Sequence, residues 1–165
     1  KTYVGRPEMN SFRANAMTQL GNGLHEAQRH TDALSVREAE LAMRWRLGDS
    51  GGNILIVQSN IANSYQELGR NEQALRVKRD VHSGRLKLNG KEHRQTLVSA
   101  VNYAVSLRDL KRFKEARSLL RKTVPVAQRV LGESIELTLR MRSIYVEALW
   151  LDTGATLDDV REAVM

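Results

Sequence analysis

Between Leu97 and Leu107 apolar residues recur every three or four positions, at Leu97, Val101, Ala104 and Leu107. That spacing gathers them on one face of a helix. A polar turn at Lys111-Arg112 follows, and Phe113, Ala116, Leu119 and Leu120 then form a second stripe. The segment reads as a pair of antiparallel helices. One such pair cannot bury its own stripes, whereas a stack of pairs buries them all.

The same pattern occurs more than once. "SNIANSYQELGRNEQAL" (Ser59 to Leu75) and "AVNYAVSLRDLKRFKEA" (Ala100 to Ala116) align at an offset of 42. Asn60 falls on Asn102, Ala62 on Ala104, Leu68 on Leu110, Arg70 on Arg112 and Ala74 on Ala116. The offset persists outside these stretches, with Gly48 on Gly90, Gly90 on Gly132 and Leu55 on Leu97. A weaker copy, Gln19 to Leu34, aligns at 41, and Ile144 to Leu151 follows loosely at the other end. A fixed period in this range is the mark of a solenoid. The expected fold is all-α, a right-handed superhelical solenoid of about three and a half helix pairs. The repeats span roughly 10–48, 53–90, 95–132 and 137–165 in a single domain. Small residues (Ala62, Ala74, Ala104 and Ala116) stand where paired helices must approach closely.

Local signals refine the boundaries. Gly132 suits a helix end, because glycine takes the left-handed conformation without a steric penalty. Gly51-Gly52 reads as a turn between helices. Pro125 sits inside an expected helix, where proline removes a hydrogen bond and clashes with the preceding turn at about 3 kcal/mol, so a kink or break is expected there. Thr156 reads as an N-cap, with Asp158 and Asp159 in the first turn where the helix dipole favours anions. The chain then stops at Met165, short of a full pair, which suggests a fragment of a longer array or an end covered by a partner.

Charge adds a possible surface. The net charge is +7, yet Arg70 to Lys122 alone holds fifteen Lys or Arg against five Asp or Glu. The rest is therefore −3. Such a basic middle attracts an acidic partner, unless it is simply a solvated face. Aromatic residues are 5% of the chain, few for stacking on bases, which disfavours nucleic acid. No apolar run approaches a membrane span, and no secretory signal is visible. The absence of cysteine removes disulfides and thiolate metal sites and fits an intracellular, cytoplasmic setting.

The paired stretches resemble the tetratricopeptide repeat. In "NIANSYQELGRNEQAL" and "NYAVSLRDLKRFKEA", Ala62 and Ala104 match its small first-helix position, Tyr65 and Leu107 its large one, and Ala74 and Ala116 its second-helix alanine. The 42-residue period, with "LNGKEHRQTL" and "VLGESIELTL" between units, is similar to the kinesin-light-chain subclass. There the pattern has His-Pro where this chain has His93-Arg94 and Ser134-Ile135. The resemblance implies a concave groove lined by first helices that binds a peptide segment or a partner subunit. Carried over position by position, the groove comprises Asn22, Ser59, Asn60, Asn63, Glu67, Val101, Asn102, Val105, Arg108 and Asp109. An asparagine amide both donates and accepts, so Asn60 and Asn102 suit a peptide backbone. They equally suit bonds between helices.

Signals for catalysis are weak. In "HEAQRH", His25 and His30 are five residues apart, about 140° around a helix, where a zinc helix needs i and i+4. His82 and His93 have no metal-ligand spacing and read as surface residues. Gly21 and Gly23 lack the strand and third glycine of a dinucleotide loop. No nucleophile elbow is present. The expectation is a protein-interaction scaffold or adaptor with no enzymatic activity and no cofactor. The alternatives are a structural subunit of a larger assembly, docking through Trp45 and Trp150, or a nucleic-acid binder using basic second helices.

Overall fold

The computed structural model describes residues 7–152 together with Thr156 and Arg161, with side chains described from Ser11 onward. The described residues form seven helices and no strand. These are α1 (Pro7–Glu26), α2 (His30–Arg46), α3 (Gly51–Glu67), α4 (Asn71–Asn89), α5 (Arg94–Asp109), α6 (Phe113–Leu131) and α7 (Glu136–Leu151). The all-α repeat reading holds. The chain divides into two compact units, residues 1–77 and 78–165, the boundary falling within α4. The helix start expected at Thr156, with Asp158 and Asp159, lies outside the described residues except for Thr156 itself, which is exposed.

The repeated arginines explain the turns. Gln28, Gly69 and Lys111 occupy equivalent positions and all have positive φ, at 59°, 70° and 58°. The next residue in each case is arginine, and its backbone N–H closes the turn. Arg29 donates to Leu24 O, Arg70 to Tyr65 O and Arg112 to Leu107 O, at 2.8–2.9 Å. Each arginine side chain then reaches three residues ahead, to Asp32, Gln73 or Glu115. One device, written three times, reverses the chain within every pair. Between pairs, Gly48, Gly90 and Gly132 share a positive φ, as the repeat pattern predicts.

In the first unit α2 packs on both α1 and α3. Leu34, Val57 and Ile61 form its apolar cluster, with Leu41, Tyr65 and Leu68 against it. In the second unit α5, α6 and α7 pack on one another. Their core contains Leu97, Val101, Ala104, Leu120, Met141, Ile144 and Tyr145. The small positions are fully used: Ala33, Ala62, Ala74, Ala104 and Ala116 are all buried.

Three expectations are corrected. Helix α6 runs through Pro125 without a break. The proline is exposed, while Val124 and Ala127 beside it are buried. Burial of apolar side chains, at about 1.5–3 kcal/mol each, is enough to hold the helix across the lost hydrogen bond. Gly51 and Gly52 are not a turn but open α3, because Ser50 caps it by accepting from Asn53 N. His25 and His30 do not share a helix: the chain reverses between them and their rings meet edge to face, centroids 5.0 Å apart.

Candidate functional site

Solvent-facing side chains on the first helix of each pair follow helical spacing. On α1 these are Asn15, Gln19, Asn22 and Glu26, and on α3 Asn53, Ile56, Asn60, Asn63 and Glu67. On α5 the matching positions are Val98, Asn102, Val105 and Asp109. The stripe in the first unit is rich in amides. In the second unit it is mixed.

The positions expected from the repeat pattern divide into three groups. Asn63, Glu67, Asn102 and Asp109 are exposed. Asn22, Ser59, Asn60, Val105 and Arg108 are half-buried and partly engaged within the protein. The Asn22 side-chain oxygen accepts from Arg37 at 3.3 Å, and the Asn60 backbone carbonyl accepts from the same guanidinium at 3.0 Å. Ser59 turns back on its helix and donates to Leu55 O at 2.8 Å. Val105 packs against the core. Arg108 contacts Asp109 at 2.8 Å and Glu147 of α7 at 3.4 Å. The Asp109 hydrogen bond raises the Arg108 pKa, which keeps the guanidinium charged. Val101 is 1% exposed and belongs to the core. Its expected place in the groove is wrong, because, about 100° around α5 from Asn102, it is turned into the core.

Sequence reasoning missed the floor beneath this face in the first unit. Arg37, Glu40 and Arg44 follow one another at i, i+3 and i+7 on α2, and all three are buried. Arg37 donates to Asn22 of α1 and to Asn60 O and Ser64 Oγ of α3, the last at 2.6 Å. Burial lowers its pKa and Glu40 opposes that shift. Arg44 donates to Glu40 at 2.8 Å and to Asp49 at 2.5 Å. Thr18 of α1 donates to Glu40 Oε1 at 2.6 Å. Buried cations and carboxylates are tolerated only when bonded in this way. The available signal was the interruption itself, since α2 begins an apolar stripe at Ala33 and Leu34 and continues it with charges.

The basic middle is likewise only partly a surface. Arg76, Arg79, Lys114, Arg121 and Lys122 are exposed, but Lys78 is buried and Arg117 lies half-buried, 3.5 Å from Asp152. His82 is not a surface residue either. It is half-buried, with Nδ1 3.2 Å from Ser99 Oγ, and His93 serves as the N-cap of α5. Trp45 and Trp150 are both exposed, Trp150 by 86%. No helix among the described residues is long and apolar enough to cross a membrane.

Residues 53–129 match the family model described as tetratricopeptide repeat. Among solved structures, the kinesin light chain nearly identical TPR-like repeats of Podosopora anserina are similar, with a TM-score of 0.76 at 20% identity, covering 98% of this chain and 72% of that one. The Q17M form of that protein gives 0.78 at 20% identity, with 98% and 73% covered. BtubC (BKLC) from P. vanneervenii gives 0.70 at 18% identity, over 93% of this chain and 63% of that chain. No curated protein sequence matches significantly. Repeat pattern, turn geometry and these likenesses agree: residues 53–129 match the tetratricopeptide-repeat model, in a chain whose fold is similar to the kinesin-light-chain TPR-like repeats.

Proposed function

We propose that the solvent-facing stripe of α1 and α3 in the first unit and, by itself, that of α5 in the second unit each bind a peptide segment of a partner protein. The observation that carries this reading is the row of exposed amides and carboxylates on first helices: Asn15, Gln19, Asn53, Asn63 and Glu67, then Asn102 and Asp109. Side-chain amides hold a peptide backbone through paired donor and acceptor bonds, whatever side chains that peptide carries. The exposed cations of the basic stretch stand mostly on the second helices α4 and α6 and not on these stripes, and favour a partner with an acidic region. Opposite charge there speeds association and selects among partners. Nothing in this function requires a catalytic group or a cofactor.

The test is a pull-down from lysate on the full chain, with mass spectrometry of the eluate, run with and without nuclease. Beside it runs a variant carrying Asn63→Ala and Asn102→Ala. Both residues are exposed, so folding is expected to survive, as circular dichroism would check. Proteins that resist nuclease and bind the variant about thirtyfold more weakly would support the reading, since two lost hydrogen bonds cost about 1 kcal/mol each. Binding that ignores the variant but disappears with nuclease would replace it with recognition of nucleic acid by the exposed cations.

A further inference from the structure

The charged seam of the first unit leaves one acceptor unused. Glu40 is 1% exposed. Its Oε1 accepts from Thr18 and from Arg44. Its Oε2 is equally shut away from solvent and receives no hydrogen bond among the described residues. A buried acceptor without a donor costs about 1–3 kcal/mol, more when charged, and folded proteins rarely leave one unfilled. Glu40 lines a cavity of about 300 Å³ together with its ion-pair partner Arg44, with Asn15, Thr18 and Gln19 of α1 and with Asn53, Ile56 and Val57 of α3. All of these belong to the first unit.

We propose that this cavity is a subsite for a primary ammonium group, namely the side chain of a lysine in the bound peptide; it rests on the reading of α1 and α3 as a binding face. The chemistry of the lining matches that group. An ammonium has three donors and no acceptor. Glu40 Oε2 would take one donor, and Asn15 and Gln19, which also line the cavity, carry amide oxygens able to accept the other two. Ile56 and Val57 offer an apolar wall for the four-carbon stem, as lysine stems commonly lie against apolar surface. A guanidinium suits the cavity less well, since its planar fork calls for two parallel acceptor oxygens and Glu40 has one free. The cations already present are engaged: Arg44 with Glu40 and Asp49, Arg37 with Asn22, Asn60 and Ser64. The four charges of the seam sum to zero. The ammonium is therefore recognised by the unused oxygen and not by a general negative field.

The experiment titrates the isotope-labelled full chain with n-butylammonium chloride, following the side-chain amides of Asn15, Gln19 and Asn53 by NMR. n-Butanol and n-butylguanidinium are run as parallel arms. We expect saturable shifts confined to α1 and α3 with the ammonium, at millimolar concentration for so small a ligand. Glu40→Gln should weaken it about tenfold, the scale of a hydrogen bond to a charged group. Because Glu40 is buried, a second variant guards against misfolding: Asn15→Lys, at an exposed position, tethers its own ammonium at the mouth and should abolish the titration. Absence of saturation, meaning that water alone fills the cavity, would overturn the proposal. So would butanol or butylguanidinium saturating at the same concentration, or an ammonium affinity unchanged in both variants. A displayed library of random short peptides then separates this inference from the groove reading. Selected peptides that share a lysine and lose binding to Glu40→Gln support both. Peptides that bind without a lysine overturn the lysine subsite alone. Ammonium binding with no peptide selected overturns the peptide as its source.

Discussion

The two units share backbone devices and differ in what they bury. At equivalent positions of successive second helices stand Arg37, Lys78 and Leu120; then Glu40, Val81 and Thr123; then Arg44, Arg85 and Ala127. The buried face of α2 in the first unit is charged. Helix α4 is intermediate, with Lys78 and Arg85 buried around Val81. The buried face of α6 in the second unit is apolar, centred on Leu120. Net charge runs the other way: the first unit has nine Lys or Arg against eight Asp or Glu, the second seventeen against eleven. A helix pair of this repeat is therefore specified by its turn and its small residues, and its interior can be filled by bonded charges or by hydrocarbon. Bonded charges demand fixed partners, so the first unit gains geometric definition and a polar cavity. Hydrocarbon is less exacting in direction and gives the second unit more of its stability.

The strongest way to break this comparison is to exchange the two solutions. Leu120→Arg places in the second unit what the first unit has at Arg37. Leu120 is fully buried among Leu97, Val101, Met141 and Tyr145, with no set of acceptors like Asn22, Asn60 and Ser64. An unpaired buried charge of this kind should cost on the order of 5 kcal/mol and unfold the second unit. Circular dichroism and hydrogen exchange would detect it. A folded variant of ordinary stability would mean that the second core adapts to charge, and the contrast would fall.

The reverse exchange is expected to be mild. Arg37→Leu alone strands the Ser64 hydroxyl and should cost about 1–3 kcal/mol. Adding Ser64→Ala removes the stranded group, and the double variant should return to within about 1 kcal/mol of the parent, as buried ionic groups often do when replaced by packed hydrocarbon. Urea denaturation measures both. A double variant as unstable as the single one would show that Arg37 contributes through Asn22 and Asn60, holding the binding face itself.

This asymmetry also explains what was legible in advance. Helix pairing, repeat period, glycine ends and alanine contacts were readable because they recur at fixed offsets and depend on local backbone and size. The exposure of Asn63, Glu67, Asn102 and Asp109 was readable for the same reason. Val101 was misplaced because the family's groove position runs against the chain's own helical spacing, which already set it in one apolar stripe with Leu97, Ala104 and Leu107. The seam of Arg37, Glu40 and Arg44 was unreadable because charged residues in a helix are normally solvated. Only tertiary contacts with Thr18, Asn22 and Ser64 reveal that these are interior. Pro125 failed as a breaker because packing on both sides outweighs a local preference.

The smallest expected effect is a difference in acid sensitivity. In the second unit, burial lowers the His82 pKa below its ordinary 6.5, with a Thr96 backbone hydrogen bond opposing the shift. The unfolded chain then binds the proton more readily than the folded one. His82 therefore costs nothing well above pH 6.5, and stability declines as pH falls through 6.5 toward the folded value. In the first unit, burial would raise the Asp49 pKa, but bonds from Asn53, Arg44 and Ser50 N outweigh it and hold it below 3.8. Its contribution is complete above 3.8 and is lost only as pH falls further. Between these ranges, hydrogen exchange should quicken in α5 and α6 while α1 and α2 keep their protection. His82→Leu installs the residue found at the equivalent Leu41 and should remove the early loss without altering the late one. Equal acceleration in both units, or a loss unchanged by His82→Leu, would show that acid acts through the chain as one body and not through the distinct interiors of its units.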